Sequence, residues 1–176
     1  MFGFGQLIGI LKKNPKKIVF TEGEDPRILE ASSRLLASYF LHPILIGDEK
    51  RIADAAEESG FNIRGAEIID PEKFDKIDEM VELYCELRKK KGVTPDQARE
   101  ILKQANYFGT MLVKMGFADA LLGGATYSTA DTVRPALQLI KTKPGNNLVS
   151  SCFILVRPSA TGDNEVLAMG DCAINI

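Results

Sequence analysis

The sequence is poor in the residues from which metal centres, disulfide frameworks and nucleic-acid surfaces are built. It has one histidine, His42, and three cysteines, Cys85, Cys152 and Cys172, in 176 residues. No Cys-x-x-Cys pair and no Cys/His ligand spacing occurs, so no metal site is expected. An odd number of widely separated cysteines makes no disulfide framework. They read as reduced, mostly buried thiols of a cytoplasmic protein, with Cys85 a core thiol rather than a nucleophile. A basic excess is also missing: 22 Lys and Arg stand against 24 Asp and Glu, a net charge of −2. That balance argues against nucleic acid as a partner. The one basic cluster, Arg88-Lys89-Lys90-Lys91, closes a helix, where cations suit the dipole. No apolar run approaches the roughly 20 residues of a bilayer span, and no membrane partner is expected. Residues 1–11 are apolar but lack a basic flank and a small-residue cleavage site, so they read as a short amphipathic helix. There is no internal repeat.

What is present is the pattern of a folded α/β chain. Hydrophobic residues make up 45% of it, enough for a core. Residues 17–20 read as a buried strand. Asp25 then caps a helix with Pro26 at its first position. A second strand follows at residues 42–47, a charged helix at 49–59 and a short strand at 67–69. A long helix is expected over 71–90. Thr94-Pro95-Asp96-Gln97 opens another with a capping box, and 106–116 is a further helix. A strand at 118–122, a glycine pair and a helix to Lys141 complete the alternation. The expected fold is a three-layer, open, mainly parallel sheet with helices on both faces. After the linker Lys143-Pro144-Gly145-Asn146-Asn147 the pattern changes. Two strands, 148–156 and 165–169, follow each other around a hairpin loop at Thr161-Gly162-Asp163-Asn164. Residues 1–147 are therefore read as a first α/β domain lacking its C-terminal closure. Residues 148–176 are read as the first two strands of an incomplete second domain.

The segment Gly123-Gly124-Ala125-Thr126-Tyr127-Ser128-Thr129 carries the strongest chemical signal. Glycines let backbone approach a ligand, and a helix start offers N–H groups to an anion. Ser128, Thr129 and Arg134 add donors and a fixed charge suited to phosphate. The competing reading is a glycine-rich turn with a Ser or Asp cap. Pro135 bears on that choice. A helix capped by Ser128 would place Pro135 in its interior, at a cost of about 3 kcal/mol. A start at Asp131 or Thr132 avoids this and puts Arg134 in the first turn, so the later start is expected. Arg88 falls on the apolar stripe of Phe74, Ile77, Val81 and Tyr84. An inward-facing arginine either reaches the same anion as Arg134, or snorkels from the helix end or pairs with a buried carboxylate. The turn Glu22-Gly23-Glu24-Asp25 is acidic and reads as a helix cap with solvated charges, neither a Walker loop nor a GxGxxG fingerprint. Asp171 orients a ligand or another side chain, or caps a turn.

Taken together, these motifs resemble one family. IVFTEGEDPRILE at 18–30, PILIG at 43–47, GVTPDQAR at 92–99, YFGTMLVKMG at 107–116, the stretch 118–144 and GDCAIN at 170–175 are similar to the phosphate acetyltransferases, within the broader phosphate acetyl/butyryltransferase family. The resemblance implies transfer of an acetyl group between acetyl phosphate and coenzyme A, with no metal or redox cofactor. It implies two α/β domains per subunit and a homodimer. It places the family's two substrate-binding arginines on Arg88 and Arg134, beside Gly124, Ser128 and Thr129 of the glycine segment. It also implies a longer chain whose catalytic serine, arginine and aspartate lie beyond this sequence. No catalytic residue is then assignable here, and residues 1–176 are expected to be a truncated chain, inactive alone. Two alternatives stand beside the acetyltransferase. One is a phosphate butyryltransferase. The other is a non-catalytic module sensing acyl-coenzyme A or phosphate, like that attached to some malic enzymes, which the start at Met1 disfavours.

Overall fold

The computed structural model describes residues 4–146, 148–158 and 164–171. The described residues divide into two compact units, one of them Leu11–Lys141 and the other comprising the residues on either side.

The larger unit contains strands β1 (Lys16–Phe20), β2 (Leu41–Ile46), β3 (Glu67–Ile69) and β4 (Ala120–Leu122). They form one parallel sheet in the order β3-β2-β1-β4. Helix α1 (Phe4–Lys13) leads into β1. Helices α2 (Pro26–Ser38) and α3 (Glu49–Glu58) follow β1 and β2. Helices α4 (Ile77–Leu87), α5 (Pro95–Leu102) and α6 (Ala105–Lys114) lie between β3 and β4, and α7 (Thr129–Pro135) follows β4. The period of two along the strands builds three layers. Val19, Ile44 and Ile46 face Met80, Val81 and Tyr84 of α4 and the apolar sides of α5 and α6. Phe20 and Leu45 face Ile28 and Leu29 of α2 and Ile52 and Ala56 of α3. The expected α/β architecture, with helices on both faces of a parallel sheet, is the one observed.

The helix starts follow local chemistry. Asp25 accepts the Arg27 N–H, with Pro26 in the first turn of α2. Thr94 and Gln97 form the reciprocal capping box of α5. The helix expected over 71–90 is shorter than its sequence suggested, because its α-helical part begins only at Ile77. Before it, the Asp70 side chain accepts the Glu72 N–H at 3.0 Å and its carbonyl accepts the Lys73 N–H. Lys73 Nζ bridges Asp70 and Asp48 at 2.9 and 3.2 Å. A side chain that satisfies nearby backbone competes with the helix, and here it wins.

Outside the larger unit, β5 (Cys152–Pro158) and β6 (Asn164–Gly170) pair antiparallel, Cys152 opposite Gly170. The Asp171 carboxylate accepts the Ser151 N–H at 3.0 Å, and the Asp171 N–H donates to the Ser151 carbonyl at 2.7 Å. Asp171 thus ties the base of the hairpin. Cys152 is exposed, unlike the buried thiol expected, whereas Cys85 is half-buried against the core. Asn147, most of the expected hairpin loop (161–163), and Cys172 lie outside the described residues. Among the described residues, no helix is long and apolar enough to cross a membrane.

Candidate functional site

The sheet order places β1 beside β4, so consecutive crossovers leave in opposite directions at that point. Open α/β sheets gather ligands there, beyond the carboxyl ends of the strands. Two loops meet at this place, residues 21–25 after β1 and 123–128 after β4. Close packing brings them together. An added Cβ at Gly123 would lie 2.6 Å from Thr21 Oγ1. An added Cβ at Gly109, on α6, would lie 3.0 to 3.1 Å from Val19, Leu121 and Thr21.

Three N–H groups of the glycine loop, those of Gly124, Thr126 and Tyr127, are taken by Glu22. Its Oε1 accepts from Thr126 N at 2.8 Å, Gly124 N at 3.2 Å and Tyr127 N at 3.3 Å. The Thr126 hydroxyl donates to the same oxygen at 3.3 Å, and Thr21 Oγ1 donates to Oε2 at 2.9 Å. Gly124 has φ +108°, a conformation that an L side chain strains to reach. On the opposite edge of the loop, Arg27 donates to the Ala125 carbonyl at 2.7 Å while pairing with Asp25. Partial burial, the largest single influence on Glu22, pushes its carboxyl up. The donors from Thr126, Thr21, Tyr127 and Gly124 together outweigh burial and hold it below the usual range. Asp25 caps α2 as expected, but Glu22 of the same turn is not a solvated charge: it is half of the glycine loop's structure. Nothing local in residues 22–25 announces this.

The helix after the loop begins earlier than expected. Ser128 is its N-cap: Ser128 Oγ accepts the Asp131 N–H at 3.2 Å and donates to Asp131 Oδ2 at 2.6 Å. Pro135 consequently sits inside the helix and Arg134 in its last turn, which corrects the expected start at residue 131 or 132. The cost of an interior proline is met from another helix. Pro135 has no N–H for the Asp131 carbonyl four residues back. The buried Asn106 side chain supplies one, Nδ2 to Asp131 O at 2.8 Å. Asn106 Oδ1 accepts the Tyr107 N–H at 2.9 Å, satisfying a first-turn donor of α6. Beyond Pro135 the helix widens into a π turn, Ala136–Ile140, closed by Lys141 N–H to the Ala136 carbonyl.

Arg134 is exposed, with 57% of its side chain accessible, and its nearest carboxylate oxygen is Asp131 Oδ1 at 3.7 Å. It borders a cavity of about 240 Å³ with Ile101, Gln104, Asn106, Tyr107 and Asp131. Arg88 ends α4, where its Nε is buried without a hydrogen-bond partner. It is not among the residues lining the Arg134 cavity. Tyr84 interacts with Arg88 on one hand and with Tyr107 on the other. Burial pushes its hydroxyl above the usual range, neighbouring Tyr107 adds to this and the Arg88 charge opposes it. The Tyr84 ring meets Tyr107, a wall of the cavity, at 6.4 Å between centroids. Of the other residues singled out from sequence, Gly124 binds Glu22, Ser128 caps α7 and Thr129 is its exposed first residue.

The chain matches the family model described as phosphate acetyl/butaryl transferase over residues 4–176. It is 49% identical over 160 residues to the phosphate acetyltransferase of Bacillus subtilis, covering 91% of this chain and 48% of that protein. It is 46% identical over 165 residues to that of Thermoanaerobacterium thermosaccharolyticum, covering 93% and 50%. Two solved structures are similar at 41% identity, the EutD phosphotransacetylase of Staphylococcus aureus and a phosphotransacetylase of Streptococcus pyogenes. Their TM-scores are 0.85 and 0.86, and the match covers 99% of this chain but 52% and 53% of theirs. The chain thus spans about half the length of the curated relatives it matches.

Proposed function

The chain belongs to the phosphate acetyl/butyryltransferase family, and on that premise we propose that it carries the anion-binding arginines of a phosphate acetyltransferase. The reaction exchanges acetyl between phosphate and coenzyme A. The thiol loses its proton to a base, the thiolate attacks the acetyl carbonyl, and the carbon–oxygen bond to phosphate breaks. What this chain's residues contribute is charge and placement for anionic substrates. The supporting observation is Arg134: an exposed guanidinium on the rim of a cavity, with a long and partial claim on Asp131. Arg88 supports it with a buried Nε that lacks a partner. Ser128 and Thr129 belong to the same reading through their place at the start of the Arg134 helix, and Gly124 through the loop that precedes it. The finer expectations go with this proposal: a cytoplasmic enzyme, homodimeric at full length, with coenzyme A and acetyl phosphate as substrates.

Titration calorimetry with coenzyme A and with acetyl phosphate tests it. Arg134→Ala is expected to weaken binding by about tenfold or more, the loss of one charge-assisted contact, with the melting temperature unchanged because Arg134 is exposed. Unchanged affinity in both Arg134→Ala and Arg88→Ala contradicts the proposal. A second reading, a sensing module without turnover, is favoured by the carboxylates near the site. Asp131 is bound to Ser128 and Glu22 to the loop, so neither stands ready as a base for a thiol. Residues 1–176 are expected to be inactive alone under either reading, so the two are separated at the full length of the curated relatives, where only the transferase gives coenzyme A-dependent loss of acetyl phosphate.

A further inference from the structure

We propose that Glu22 is the built-in anion of the glycine loop, a positioning residue that fills the nest formed by the N–H groups of Gly124, Thr126 and Tyr127 and turns phosphate away from it. Successive backbone N–H groups around a glycine with positive φ form a concavity suited to anions. Here the concavity holds a carboxylate of the same chain. Three backbone N–H groups and the Thr126 hydroxyl converge on Oε1, and Thr21 steadies Oε2. Gly123 lets Thr21 come this close, because a methyl group there would lie 2.6 Å from Thr21 Oγ1. Arg27 fixes the one loop carbonyl that faces it, at Ala125, and its charge also lies toward Glu22. Tyr127, whose hydroxyl burial pushes up, feels the same carboxylate.

Two consequences follow. A phosphate entering this nest would meet a negative charge already bound by the donors it needs, so the loop does not cradle a substrate phosphate. The loop instead sets the position of Ser128, and Ser128 starts the helix that carries Arg134. Glu22 therefore acts on the substrate anion through Arg134. This last step rests on the function proposed above, while the filling of the nest does not.

The test follows the amide signals of Gly124, Thr126 and Tyr127 by NMR in the ¹⁵N-labelled chain, with Glu22→Ala and Glu22→Gln beside the wild type. In the wild type, inorganic phosphate is expected to leave these three amides unmoved. In Glu22→Ala they are expected to exchange with solvent at least about tenfold faster, as befits loss of a charged acceptor. They are also expected to shift on addition of formate or phosphate, small anions that refill the empty nest. Glu22→Gln, which keeps an acceptor oxygen without the charge, is expected to fall between. Coenzyme A affinity is expected to drop about tenfold in Glu22→Ala and to recover with formate. Wild-type amides that shift with phosphate overturn the proposal, as do Glu22→Ala amides whose exchange is unchanged. If the variants do not fold, the wild type still decides. The three amides and the Glu22 carboxyl carbon are expected to titrate together below the usual glutamate range, and separate titrations overturn the proposal. Failure of the wild type to bind coenzyme A removes the functional reading of Arg134 and leaves Glu22 to be judged on these amide signals.

Discussion

Two loops leave neighbouring parallel strands at the same end of the sheet, and they are chemical opposites. The loop after β1 is acidic, Glu22-Gly23-Glu24-Asp25. The loop after β4 is rich in glycine and hydroxyls, Gly123 to Ser128. Read singly, the first looks like a solvated cap and the second like an anion site. Set side by side, each supplies what the other lacks: donors from one, a carboxylate from the other. The lesson is that an anion-binding loop in a sequence has to be matched first against the acids of adjacent strands, because an internal ligand is always at high effective concentration.

The comparison is most strongly tested at the two glycines. An added Cβ at Gly23 would lie 2.7 Å from the Ile46 carbonyl and 2.9 Å from Ile52 Cδ1. Backbone there has nowhere to go, so Gly23→Ala is expected to cost about 3 kcal/mol or more in urea unfolding. Gly123→Ala meets only the Thr21 hydroxyl, which can rotate at the loss of its bond to Glu22. Its expected cost is about 1–2 kcal/mol, reduced in a Thr21→Ala background. Equal costs for the two glycines would mean that the loops are not packed as described.

Asn106 comes next. Its removal leaves the Asp131 carbonyl without a donor, an expected loss of about 1–3 kcal/mol. Pro135→Ala returns an N–H to that carbonyl from within the helix, so a double-mutant cycle is expected to show Asn106→Ala costing clearly less in that background. Strict additivity would dissociate Asn106 from the proline.

Acid titration follows. The Glu22 carboxyl lies below its ordinary range in the folded protein, so its contribution is fully present above the unfolded value of about 4.3 and is lost as pH falls through the folded value. The stability gap between wild type and Glu22→Gln, measured by denaturant titration, is expected to be largest near neutrality and to close on acidification below that range. A gap that widens in acid would have the wrong sign. The smallest effect is expected at Arg27→Ala: two-thirds of the Arg27 side chain is exposed, at 67%. Exchange at the loop amides should quicken with little change in global unfolding.

Much of the fold was legible because it is written in local patterns. Pro26 after Asp25 and the Thr94–Gln97 box mark helix starts by chemistry that acts within one turn. The alternation of strand and helix set the fold class. The order β3-β2-β1-β4 was not legible, since pairing is decided across a hundred residues. The start of the Arg134 helix and the internal ligand of the glycine loop failed to read for the same reason. Ser128-x-x-Asp131 does signal a cap, and Pro135 argues against it only if no outside donor exists. That donor, Asn106, lies on a separate helix. Glu22 likewise becomes a ligand only when β1 and β4 are known to be neighbours. Arg88 was legible as an inward-facing cation, because the apolar stripe of α4 carries it there, and its buried Nε agrees.

A crystal structure of the chain soaked with acetyl phosphate addresses the central claim most directly, by showing where the phosphoryl group rests. It should lie against the Arg134 guanidinium, with Glu22 still accepting from Gly124, Thr126 and Tyr127. A phosphoryl group seated on those three N–H groups, with Glu22 swung out to solvent, would contradict the account.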